Sequence, residues 1–186
     1  MLKLPMSAMK RFIVKVTRGL LAPWRHAKQV RYAESDQTAR IELPNEAFLP
    51  VVAESVAEGH TAIIAVKGYS MRPFLEHLRD KVKLEYCPAA DLKVGDAVLA
   101  EISRGHFVLH RIIKKEGDMV TLMGDGNIRG TEHCSVSEVR ARVREYIRPG
   151  GHVIKADDPA LCRMIRWWRR LLPIRRYLLF IYKATI

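Results

Sequence analysis

The chain has 186 residues, 48% of them hydrophobic, with 32 Lys plus Arg against 20 Asp plus Glu, a formal charge of +12. That apolar content excludes wholesale disorder, and the length suits one domain with appendages that buries a core without disulfide staples. Three widely spaced cysteines (Cys87, Cys134, Cys162) exclude a disulfide framework and any CxxC metal or redox motif. The longest apolar run, Tyr177–Tyr182, is far short of the roughly 20 residues of a membrane span. No N-terminal apolar stretch of the kind secretory signals carry is visible, so no export signal is expected.

The charge is concentrated at the two ends. Residues 1–31 hold eight Lys or Arg and no acid, and residues 151–186 hold eight against Asp157 and Asp158, so the stretch between is close to neutral. In the first arm, 1–43, Met9, Ile13, Val16 and Leu20 recur at helical spacing, with Arg11, Lys15 and Arg18 on the other side. In the last arm, 151–186, Leu161, Ile165, Trp168 and Leu172 do the same, with Arg163, Arg166 and Arg170 facing away and Pro173 breaking the pattern before Tyr177–Tyr182. Basic, amphipathic helices too short to span describe segments lying on an anionic membrane surface. The competing readings are helices packed on the domain with Arg toward water, and a nucleic-acid surface, which is the least favoured.

Between the arms, 44–150, a helix is expected to start at Leu43-Pro44-Asn45-Glu46, run through Leu49, Val52 and Val56 to about Glu58, and stop at Gly59. Six short β-like runs follow: Ala62–Val66, Val82–Tyr86, Ala97–Ile102, Phe107–Ile113, Met119–Met123 and Val139–Ile147. Their spacing predicts a mainly β domain with flanking helices, an α+β arrangement built on a compact, twisted antiparallel sheet or half-barrel. The long connection 124–138 is where such a domain would carry function.

Three motifs carry chemistry. Gly68-Tyr69-Ser70-Met71-Arg72-Pro73, directly after a predicted strand, reads G-x-S-M-x-P. Gly68 permits a tight turn that lifts Ser70 out, and Pro73 fixes the chain beyond it. Gly68, Ser70 and Met71 then present a nucleophile beside backbone N–H groups suited to an oxyanion. The plainer alternative is a serine capping a short helix, Met71–Leu78. The second motif is His110 in Phe107–Ile113, sharing a strand face with Val108 and Ile112. Burial there keeps an imidazole neutral and able to accept a proton, although a lone strand histidine is more often a satisfied core residue. The third is Gly124-Asp125-Gly126-Asn127. Asp125 is placed to hold a histidine's tautomer, or else belongs to a turn chosen for conformation. His106 and His110 would share a face with no third ligand, so neither metal nor cofactor is expected.

In this order the motifs resemble the signal peptidase I / LexA-type serine peptidase superfamily. Gly68–Pro73 matches its serine box, Val94-Gly95-Asp96-Ala97-Val98 a GD-V element, Leu109-His110-Arg111-Ile112 the second catalytic box and Gly124–Asn127 the GD-N box. The resemblance covers about residues 60–147. With His110 where the commoner members carry Lys, it is closest to the Ser–His subtype of SipW-like, archaeal and endoplasmic-reticulum signal peptidases. It implies Ser70 as nucleophile, His110 as general base and Asp125 as supporting acid. The subtype often has a second Asp beyond the GD-N box. Here Ile128–His133 offers Glu132 instead, which makes Glu132 the alternative acid. Gly68 stands where many members have an oxyanion Ser, leaving the Ser70 N–H, and Arg79-Asp80 stands for the usual Gly-Asp. No counterpart of the family's transmembrane anchor is expected in this sequence, a role open to the basic arms or to a membrane-protein partner.

The resulting expectation is a bacterial, signal-peptidase-like serine endopeptidase cleaving a leader or propeptide through an acyl-enzyme. It would sit in the cytoplasm, peripheral to the inner face of the membrane. Its rivals are a LexA-like DNA-binding regulator, which lacks the Ala-Gly and Cys-Gly dipeptides typical of self-cleavage, and a catalytically idle membrane-surface interaction module of the same fold.

Overall fold

The computed structural model describes residues 45–185; the basic arm 1–43 and its expected helix lie outside them. Helix α1 (Asn45–Ala57) is followed by β1 (Ala62–Ala65), β2 (Lys81–Glu85), β3 (Ala97–Ser103), β4 (His106–Glu116), β5 (Met119–Met123), β6 (Glu132–Ser135), β7 (Val139–Arg148) and β8 (His152–Lys155). Helices α2 (Pro159–Arg170) and α3 (Arg175–Thr185) close the described chain. The strands form one open antiparallel sheet in the order β1-β2-β7-β3-β4-β5-β6, with β8 added on β7. This is the mainly β, helix-flanked architecture expected from the strand spacing. Two strands were not anticipated: β6, in the connection 124–138, and β8, in the last arm.

Alternation is plain in β2, which lies between β1 and β7. In β2, Val82 and Leu84 are buried while Lys81 is exposed and Lys83 and Glu85 are half-buried. Strand β3 lies between β4 and β7, and Ala97–Ala100 are buried on both faces. The sheet accordingly has two cores. One joins Val82, Leu84, Leu99 and Tyr146 to Val56 of α1, to Met71, Phe74 and Leu75, and to α2. The other holds Val98, Ile112, Val120, Leu122 and Cys134.

Helix α2 is capped by Asp158, whose carboxylate accepts from the N–H groups of Ala160 and Leu161 at 2.9 Å, with Pro159 in the first turn. The helix stops at Arg170, and Pro173 falls in the short turn that separates it from α3. The amphipathic face read from the sequence is real, but it is spent on the protein. Leu161, Met164, Ile165 and Trp168 are buried in the first core. What α2, the turn and α3 leave exposed is Trp167, Leu172, Ile174, Tyr177 and Phe180, among arginines. No helix of the described residues is long and apolar enough to cross a membrane.

Because Trp168 is a core residue, Trp168→Ala is expected to cost about 3–5 kcal/mol. Chemical unfolding monitored by circular dichroism measures it. A loss below about 1 kcal/mol, within the range of ordinary surface substitutions, would mean that the arm does not belong to the core.

Candidate active site

Ser70 sits on a long turn closed at its base by two backbone bonds, Leu78 N–H to Val66 O (2.7 Å) and Val66 N–H to Asp80 O (2.9 Å). The turn does not form the Met71–Leu78 helix considered from sequence. Met71, Phe74 and Leu75 are buried and anchor it from below. Asp80 ties its end. It is wholly buried, accepts from the Glu76 N–H at 2.8 Å, and is bonded by Arg79 and Arg148. Arg148 also donates to Phe74 O at 2.6 Å.

Gly68 has φ +100°, a conformation costly for any other residue, which explains the glycine ahead of the serine. Its N–H donates to His77 Nδ1 at 2.9 Å, so it is not available as an oxyanion donor. The remaining expected donors are the backbone N–H groups of Ser70 and Met71, neither of which donates to another described residue.

The Gly124–Asn127 loop is pressed against this turn. Gly126 N–H donates to Ser70 O at 2.7 Å. A Cβ at Gly124 would lie 2.5 Å from Ser70 O, and one at Gly126 would lie 2.6 Å from Tyr69 O. These glycines are therefore required by close approach of two backbones, not by turn conformation.

His110 is buried on β4, opposite Val98 on β3, with Nδ1 2.9 Å from Glu132 Oε2. Strand pairing brings the two together. Glu132 opens β6, in register with Leu122 of β5, which is in register with Ile112 of β4. Strand β5 ends at Met123, paired with Arg111, so past that end the Glu132 side chain reaches His110. A carboxylate only accepts, so it holds the proton on Nδ1 and leaves Nε2 as the basic nitrogen.

The assignment of Asp125 to His110 is corrected by this geometry. Neighbouring residues on a strand point to opposite faces, so Arg111 faces away from His110. The Asp125 carboxylate meets Arg111: Nε donates to it at 2.8 and 3.0 Å and Nη2 at 2.6 Å, with 1% and 3% of the two side chains exposed. Burial alone would lower the arginine pKa; the Asp125 charge reverses this and the net shift is upward. Arg111 also donates through Nη1 to Gly95 O at 2.6 Å. Trp168 Nε1 donates to Asp125 O at 2.8 Å, and Arg175 Nη1 to Asn127 O at 2.9 Å. Trp168 further packs edge-on against Phe74 of the serine turn, centroids 6.2 Å apart. Nothing in the sequence motifs marks Arg111, Trp168 and Arg175 as supports of the site. The available signal was the arginine beside the histidine, which strand alternation sends to the other face.

Ser70 and His110 line one cavity of about 180 Å³, whose walls include Phe48, Ile64, Met71, Leu99 and Val108. No cysteine lines this cavity. Burial raises the pKa of Cys87 and Cys162 and pushes Cys134 up to about 11, so all three are held as thiols. Compared with known proteins, the chain matches no family model and no curated protein.

Removing one member of a buried pair strands the other charge. Asp125→Ala is therefore expected to cost about 3–5 kcal/mol. Differential scanning calorimetry should record a midpoint lower by roughly 10 °C for a protein of this size. An unchanged midpoint would show that Asp125 does not hold the fold.

Proposed function

We propose that the protein is a signal-peptidase-like serine endopeptidase with Ser70 as nucleophile, His110 as general base and Glu132 as the carboxylate that orients it. The observation that carries this reading is the hydrogen bond between buried His110 and half-buried Glu132, with His110 lining a cavity that Ser70 also lines. The bond from Nδ1 leaves Nε2 free to take the Ser70 Oγ proton as the oxygen attacks a scissile carbonyl. The tetrahedral oxyanion is met by the Ser70 and Met71 N–H groups. Collapse passes the proton from Nε2 to the leaving amine and leaves an ester on Ser70. A water molecule, deprotonated by His110, then releases the acid and restores the serine.

The cavity also suits a peptide. Among the described residues, strand β1 pairs only with β2, and the His106–His110 half of β4 pairs only with β3, so each leaves an edge unpaired by them. Both edges contribute to the cavity wall, through Ile64, Ala65, Phe107 and Leu109. An extended segment gains main-chain hydrogen bonds from such edges without sequence preference, while apolar walls select small or apolar side chains. A leader or propeptide, extended around its cleavage point, is the substrate class that matches.

A fluorophosphonate probe is expected to label one residue, Ser70. His110→Ala should slow labelling by about 10²–10⁴-fold, the range for loss of a positioned base. Iodoacetamide should leave labelling intact, because no cysteine lines the cavity of Ser70 and His110. Mass spectrometry of the labelled protein reads all three results. Labelling of Ser70 at equal rates with and without His110 would contradict the proposal.

A further inference from the structure

Ser70 borders a second cavity, of about 410 Å³, and the two cavities share no other lining residue. The second is walled on one side by Tyr69, Arg72 and Ile128 and on the other by Arg176, Phe180 and Lys183 of α3. Every charged residue in its lining is a cation. Arg72 is paired with Glu76, at 2.7–2.8 Å, and stacks 4.1 Å from the Tyr69 ring centroid. Arg176 and Lys183 are exposed and form no ion pair among the described residues. Phe180 is 75% exposed, a large apolar surface left open to solvent beside them.

We propose that this cavity is a specificity site for an acidic segment of the substrate, the part lying across Ser70 from the strand edges. The proposal rests on the reading of Ser70 as nucleophile. A peptide bound along the first cavity with its scissile carbonyl at Ser70 must continue somewhere, and the second cavity is the space that Ser70 opens onto. The spacing of the cations sets the pattern it selects. Seven residues of helix separate Arg176 from Lys183, a rise of about 10 Å. An extended peptide covers that distance in about three residues. Phe180 lies between the two cations on the same face, four residues after one and three before the other. The site therefore matches two acids about three residues apart with an apolar residue between them.

The test uses the full chain carrying Ser70→Ala, so that nothing is turned over, and two fluorescein-labelled decapeptides. One contains Glu-Leu-Ser-Glu and the other Gln-Leu-Ser-Gln. Fluorescence anisotropy should show the Glu peptide binding about 5-fold more tightly, the yield of two exposed ion pairs. The advantage should shrink as salt is raised. It should vanish in a protein that also carries Arg176→Gln and Lys183→Gln, whose unfolding midpoint is checked against its parent. Equal binding of the two peptides overturns the proposal, as does a Glu preference that survives loss of both cations. Phosphatidylserine vesicles form a separate arm. Vesicle binding that needs Arg176 and Lys183, without discrimination between the peptides, would make this a lipid surface and overturn the peptide site. Failure of the nucleophile reading shows elsewhere, as absence of fluorophosphonate label on wild-type Ser70, and is independent of the peptide result.

Discussion

The buried pair of Arg111 and Asp125 is the constraint on which the rest of the site depends. Two charges taken out of water are tolerable only when their geometry and remaining hydrogen bonds are good. Here the guanidinium makes a forked contact with the carboxylate and spends a third donor on Gly95 O. That one cluster joins the turn before β3, the middle of β4 and the loop after β5. The C-terminal helices complete it, since Trp168 and Arg175 bond the carbonyls of Asp125 and Asn127. Arg175 is itself buried, and burial pushes its pKa down, so a cation has been placed where it is costly in order to hold this loop.

The loop in turn fixes the serine. Gly126 bonds the Ser70 carbonyl, and neither Gly124 nor Gly126 leaves room for a side chain. Ser70 is thus held through its backbone by a neighbour anchored in the core, while its own turn is anchored by Met71, Phe74 and Leu75. On the proposed reading, preorganisation of this kind spares reorganisation when charge develops on a bound carbonyl. The two carboxylates divide the work. Asp125 belongs to the scaffold on one face of β4, and Glu132 belongs to the histidine on the other.

Much of this was legible in the sequence, and the illegible part has physical reasons. Helix α1 and six strands are legible as short apolar runs between polar turns, most plainly where Val82 and Leu84 alternate with Lys81, Lys83 and Glu85. Strands β6 and β8 are four residues each, and Glu132–Ser135 is too polar to announce itself as a strand. The serine turn, the histidine strand and the glycine loop were all visible as motifs. The partner of the histidine was not, since it depends on where β5 ends and on which face each neighbour of Arg111 points. Asp125 looked like the acid because its Gly-rich turn is conspicuous; nothing local reveals that Arg111 claims it. The C-terminal amphipathic helix was legible as a helix but not in its destination. Leu161, Ile165 and Trp168 would serve a lipid surface as well as a protein core, and only the fold decides between them.

The account stands or falls on Glu132. Its carboxylate is what holds the His110 proton on Nδ1 and leaves Nε2 basic, so the decisive measurement is the rate of Ser70 acylation by a fluorophosphonate in Glu132→Gln. The amide preserves size and removes the charge that steadies the imidazolium. A drop of about 10³-fold or more is predicted, as expected when an orienting carboxylate is lost from a serine triad. A rate within about threefold of the unmodified protein would contradict the assignment of Glu132 and, with it, the reading of Ser70 and His110 as one catalytic unit.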